Sequence, residues 1–153
     1  MAKRNNYKEK REKQIPKEIN DIVNKFNNCN NLSDITIDEL VAIDGDAYEI
    51  AGYAVDNGMK NTQLRSFFEA IKKLERNKKW KDIKPELILL KPRIAVRVGR
   101  GKVEEGFFKV IVAAMDKIEV KDNEKETMKN FNVFVEFFEA IIAYHKYLGG
   151  SSV

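Results

Sequence analysis

The chain has 153 residues, 43% of them hydrophobic, and its 28 Lys and Arg against 24 Asp and Glu give a net charge of +4. That length suits one domain, able to bury roughly two thirds of the surface its unfolded form exposes. The lone cysteine, Cys29, excludes an intramolecular disulfide and a cysteine metal cluster and points to a reducing, cytoplasmic setting. No apolar run reaches the roughly 20 residues of a membrane span, and MAKRNNYKEKREK lacks the apolar centre of a secretory signal.

Charge is unevenly spread. Residues 1–13 hold six cations against Glu9 and Glu12, whereas residues 32–59 hold seven acids and neither Lys nor Arg. Residues 1–14 have almost no apolar anchors, which predicts a basic tail, disordered or ordered only by a partner. A single helical domain is expected over 15–148, with a flexible C-terminus at 149–153.

Pro16 fits the start of a first helix, in which Ile15, Ile19, Ile22, Val23 and Phe26 recur at helical spacing until NNCNN at 27–31 ends the pattern. Residues 36–58, interrupted by DGD at 44–46 and stopped near Gly58, predict a turn and one or two short helices. Thr62 can cap a helix whose Leu64, Phe67, Phe68, Ile71 and Leu74 line one face. VEEGFFKVIVAAMDKIEV is a further apolar segment of helical length. In the last helix Phe131, Phe134, Val135, Phe138, Ile141, Ile142 and Leu148 form one stripe, and Val133, Phe137, Ala140, Tyr144 and Tyr147 a second. Two stripes require burial on several sides, within a bundle or against another chain.

The stretch LLKPRIAVRVGRGK, residues 89–102, carries Lys91, Arg93, Arg97, Arg100 and Lys102 without a carboxylate. Ile94, Val96 and Val98 alternate with polar neighbours as a half-buried strand would. A lone strand among helices would lack a pairing partner, whereas Pro85 is acceptable at a helix start and Pro92 can kink one. The stretch is therefore read as a helix from about residue 85 to Arg100, with Leu87, Leu90, Ile94 and Val98 facing the core. Arg93, Arg97 and Arg100 then share another face. The fold class is all-α, a compact bundle of five to six helices.

Catalytic chemistry finds little support. His145 has no second histidine to complete a metal site and reads as structural. GRGK at 99–102 fails both phosphate-loop templates, because Ser or Thr does not follow the lysine and Glu104 fills the sixth place of G-x-G-x-x-G. DGD lacks the remaining ligands of a calcium loop. Glu136 and Glu139 on the last helix suit pairing at its rim.

TQLRSFFEAIKKLE, LLKPRIAVRVGRGK and FFEAIIAYHKYLGG, in this order, resemble the small subunit of the type III-A CRISPR effector, the Csm ribonucleoprotein complex. The similarity spans roughly residues 40–148. Its most specific pieces are Lys91-Pro92-Arg93, Gly99-Arg100, Glu139-Ala140-Ile141 and Ala143-Tyr144-His145. The chain departs from the pattern at Arg97, where a small residue is common, and at Val96, where an aromatic is common. The resemblance implies a compact helical protein without enzymatic activity, and the residues themselves offer no constellation for a cofactor or metal. It also implies that copies self-associate in a stack beside the backbone and large subunits, flanking the guide RNA and its paired target RNA. Arg65, Lys91, Arg93 and Arg100 are the RNA contacts it carries over, and charge alone adds Arg97 and Lys102. No aromatic interleaves with these cations, so base stacking is not suggested. The alternative is a protein–protein docking module in which the acidic segment 32–59 and the last helix meet neighbouring subunits.

Overall fold

The computed structural model of the protein describes residues 2–152, with side chains described from residue 6. Met1 and Val153, at the ends of the predicted tail and C-terminus, lie outside the described residues. Eight α-helices and one 3-10 turn, Leu32–Asp34, make up the fold, and the described residues contain no strand. In order the helices are α1 (Ala2–Lys13), α2 (Lys17–Asn28), α3 (Ile37–Val41), α4 (Asp46–Asp56), α5 (Asn61–Leu74), α6 (Trp80–Gly99), α7 (Glu105–Met115) and α8 (Glu124–Tyr147).

The class is all-α, but the helices outnumber the five or six expected: seven have 11 residues or more, and α3 has 5. Part of the excess comes from DGD. Asp44 adopts a positive φ of 69° and Gly45 precedes the first turn of α4, so the segment breaks into two helices. A side chain at Gly45 would meet the Glu39 carbonyl oxygen at 2.6 Å. The other part is α1, which forms where a tail was predicted. Its helix has no apolar stripe, and it docks through charge: Arg11 Nε donates to Glu105 Oε1 at 3.2 Å, and Lys109 Nζ pairs with Glu12. The hydrogen bond from Lys109 holds the Glu12 carboxyl below its ordinary range.

The 24-residue α8 runs through the centre and packs against α3, α4, α5, α6 and the 3-10 turn. Helix α7 packs against α1, α2 and α6. Phe131, Phe134, Phe137 and Phe138 of α8 are fully buried together with Phe26 and Phe107. Their rings meet edge-on, at 5.4 Å for Phe26 and Phe137 and 6.0 Å for Phe107 and Phe138, the geometry that aromatic quadrupoles favour. Both stripes of α8 are thus used: Phe137 is buried, and the Tyr144 hydroxyl donates to the Val41 carbonyl oxygen. Tyr147, 73% exposed, stands outside the packing.

Two polar links fix α8 along its length. Near its start Asn130, fully buried, accepts from the Ser33 backbone N–H and donates to the Ile118 carbonyl oxygen, each at 3.0 Å. Near its end His145 is buried against the loop that joins α4 to α5. Thr62 does not cap α5. That helix starts at Asn61 with Lys60 at the cap position, two residues earlier, and the Asn61 backbone N–H donates to the Ser151 carbonyl oxygen at 2.8 Å, so the C-terminal segment covers its first turn. No helix among the described residues is long and apolar enough to cross a membrane.

Candidate nucleic-acid interface

Helix α6 settles the strand-or-helix ambiguity of residues 89–102, starting five residues before Pro85. Leu87, Leu90, Ile94 and Val98 are buried at the spacing of one helical face. Pro85 and Pro92, two turns apart, are exposed. Each removes an N–H from the helical ladder, and on the solvent side water can serve the carbonyl left over.

The end of α6 is set by Gly101, with φ of 75°. Its N–H donates to the Val98 carbonyl oxygen at 3.0 Å, and that of Lys102 to Arg97 at 2.9 Å, the paired bonds that close a helix through a left-handed residue. This turn leaves Arg100 and Lys102 exposed beside the negative end of the helix dipole, where cations are favoured.

Five cations of α6 and its C-terminal cap divide between two sides. Lys84 and Lys91 turn toward the end of α7 and its following turn: Lys84 Nζ lies 2.7 Å from Glu119 and Lys91 Nζ 2.9 Å from Asp116. Arg93, Arg97 and Arg100 turn toward α5. With Ser66, Phe67, Ala70, Leu90 and Val96 they line a cleft of about 310 Å³, and no carboxylate is among its lining residues. Arg93 and Arg100 are exposed and Arg97 half-buried. Arg97 is held by α5: Nη1 donates to Gln63 Oε1 at 2.7 Å, Nη2 to Ser66 Oγ at 3.5 Å, and the guanidinium carbon lies 4.6 Å from the centre of the Phe67 ring.

Of the six sequence-derived cations, the fold therefore brings three arginines into one cleft. Arg65, exposed, belongs to a different groove between α5 and α8, lined also by Phe68, Glu69, Glu139 and Ile142. Lys91 faces Asp116, and Lys102 sits in the turn beyond α6. Sequence reasoning missed Gln63 and Ser66 and gave Phe67 to the core alone. The polar residues Gln63 and Ser66 beside Phe67 and Ala70, at three- and four-residue spacing, were the signal for an α5 face that meets another helix.

Elsewhere, no group of three or more His, Cys, Asp or Glu among the described residues could hold a metal ion. The chain has no match among curated proteins and none among solved structures. The family model described as Csm2 Type III-A matches residues 37–151, a span that takes in α3 to α8 and the whole arginine cleft. The chain belongs to the Csm2 type III-A family, the small subunit of the type III-A Csm complex.

Proposed function

We propose that this small subunit is a non-catalytic RNA-contacting protein that touches the phosphate backbone of the guide RNA and its paired target RNA. Several copies stack along the complex beside its backbone and large subunits in the cytoplasm. The observation that carries the reading is the cleft between α5 and α6, where Arg93, Arg97 and Arg100 converge with no carboxylate in its lining. A cationic surface without neutralising acids favours polyanions, and phosphates can be held without reading bases when pairing between strands supplies the sequence.

The test is a salt titration of RNA binding by the wild-type chain and by an Arg93→Ala/Arg100→Ala variant, on two unrelated sequences. Each lost phosphate contact lowers the slope of log affinity against log salt by roughly 0.7 to 0.9, so the double variant is expected to lose about 1.5 units on both RNAs. Circular dichroism checks that the fold is intact. An unchanged slope would reject the RNA reading. It would favour the docking module, for which the exposed Ile37 and Ile43 of the acidic segment 32–59 and Tyr147 of α8 offer apolar contacts.

A further inference from the structure

Arg97 differs from its two neighbours in being fixed before any ligand arrives. Phe67 supports one face of its guanidinium, and Gln63 and Ser66 engage part of its edge. The distinction matters because a guanidinium grips phosphate with its edge, through parallel N–H bonds, whereas it grips a nucleobase with its face. At Arg97 the edge is partly occupied and the plane is already oriented, which lowers the ordering cost of a stack.

The cleft suits that use. Phe67, Ala70, Leu90 and Val96 give it apolar lining, and its volume of about 310 Å³ lies at the lower end of small-molecule sites. A duplex cannot enter such a space, but one base can. No aromatic occurs in residues 89–102, so the stretch by itself shows no stacking platform; α5 supplies the ring from outside it.

We propose that the cleft takes a single unpaired RNA base, stacked on the face of Arg97 turned away from Phe67, with the flanking phosphates on Arg93 and Arg100. This rests on the RNA-contact reading above and adds a base-dependent component to it.

The experiment compares a short single-stranded RNA with an RNA of equal length and charge whose riboses are abasic, each titrated with the full chain. Arg97→Lys keeps the charge and removes the plane. It is expected to weaken binding to the base-bearing RNA by roughly five- to thirtyfold with an unchanged salt slope, and to leave the abasic RNA unaffected. Gln63→Ala, which alters no charge and releases the guanidinium edge, should reduce the preference for base-bearing RNA in the same direction. Equal weakening on both RNAs assigns Arg97 to phosphate and overturns the stack. A wild-type preference for base-bearing RNA in both variants overturns it too. In either case the salt slope of the Arg93→Ala/Arg100→Ala variant judges the phosphate reading separately.

Discussion

His145 Nε2 donates to the Met59 carbonyl oxygen at 2.8 Å, which ties the last turn of α8 to the loop between α4 and α5. A backbone carbonyl can only accept, so Nε2 carries the proton, and the neutral ring leaves Nδ1 to accept from Asn61 Nδ2 at 3.1 Å. The chain closes over this contact: a side chain at Gly150 would meet Nδ1 at 2.0 Å. His145→Ala leaves two buried polar groups unpaired and opens a cavity. A loss of roughly 2 to 4 kcal/mol in urea unfolding is expected, with RNA affinity of the folded fraction unchanged.

The same ring makes stability depend on pH. Burial holds its pKa below the ordinary 6.5, so between the lowered value and 6.5 the folded chain binds fewer protons here than the unfolded chain. The contribution is complete above about pH 6.5, falls as pH drops toward the lowered value, and levels off below it. Asp46 and Glu104, whose carboxyls burial raises, act with the opposite sign at lower pH. Unfolding between about pH 7.5 and 6 is therefore the informative window. Wild type should lose stability across it, and His145→Gln should remove most of that slope.

Asn130 serves three elements at once, joining α8 to the 3-10 turn and to Ile118 beyond α7. Asn130→Ala deprives the Ser33 N–H and the Ile118 carbonyl of their partner, for a predicted loss of about 2 to 3 kcal/mol. Hydrogen exchange should locate the damage, with the Ser33 amide the first to lose protection.

Lys91 and Arg93, two residues apart, should behave differently toward RNA. Asp116 already partners Lys91, so Lys91→Ala is expected to lower the salt slope by less than Arg93→Ala does. Asp116→Asn should raise RNA affinity modestly by releasing the lysine. Both side chains are partly exposed, and breaking their ion pair should change stability by under about 1 kcal/mol.

Periodicity carried much of this fold. The spacing of Leu64, Phe67, Ile71 and Leu74, and of the phenylalanines in α8, placed those side chains in the core because a 3.6-residue repeat must bury one face. Where stability comes from contacts distant in sequence, the pattern was silent. Helix α1 has no stripe to read, and its ion pairs with Glu105 and Lys109 join residues more than 90 positions apart. The cleft was half legible. Spacing put Arg93, Arg97 and Arg100 on one side of α6, but nothing local marks Asp116 as the partner of Lys91 or Phe67 as the support of Arg97.

The position of α8 in the order of synthesis bears on how the protein matures. Its bonds to Val41, Met59 and Ser33 reach back 103, 86 and 97 residues. While the ribosome makes α3, α4 and α5, the helix that covers their apolar faces does not yet exist. The nascent chain therefore carries Leu40, Ile50, Leu64 and Phe68 without their final partner, the condition in which growing chains aggregate or engage chaperones. Core assembly waits for residues 124–147, and a ribosome stalled before them releases a product that cannot complete its fold.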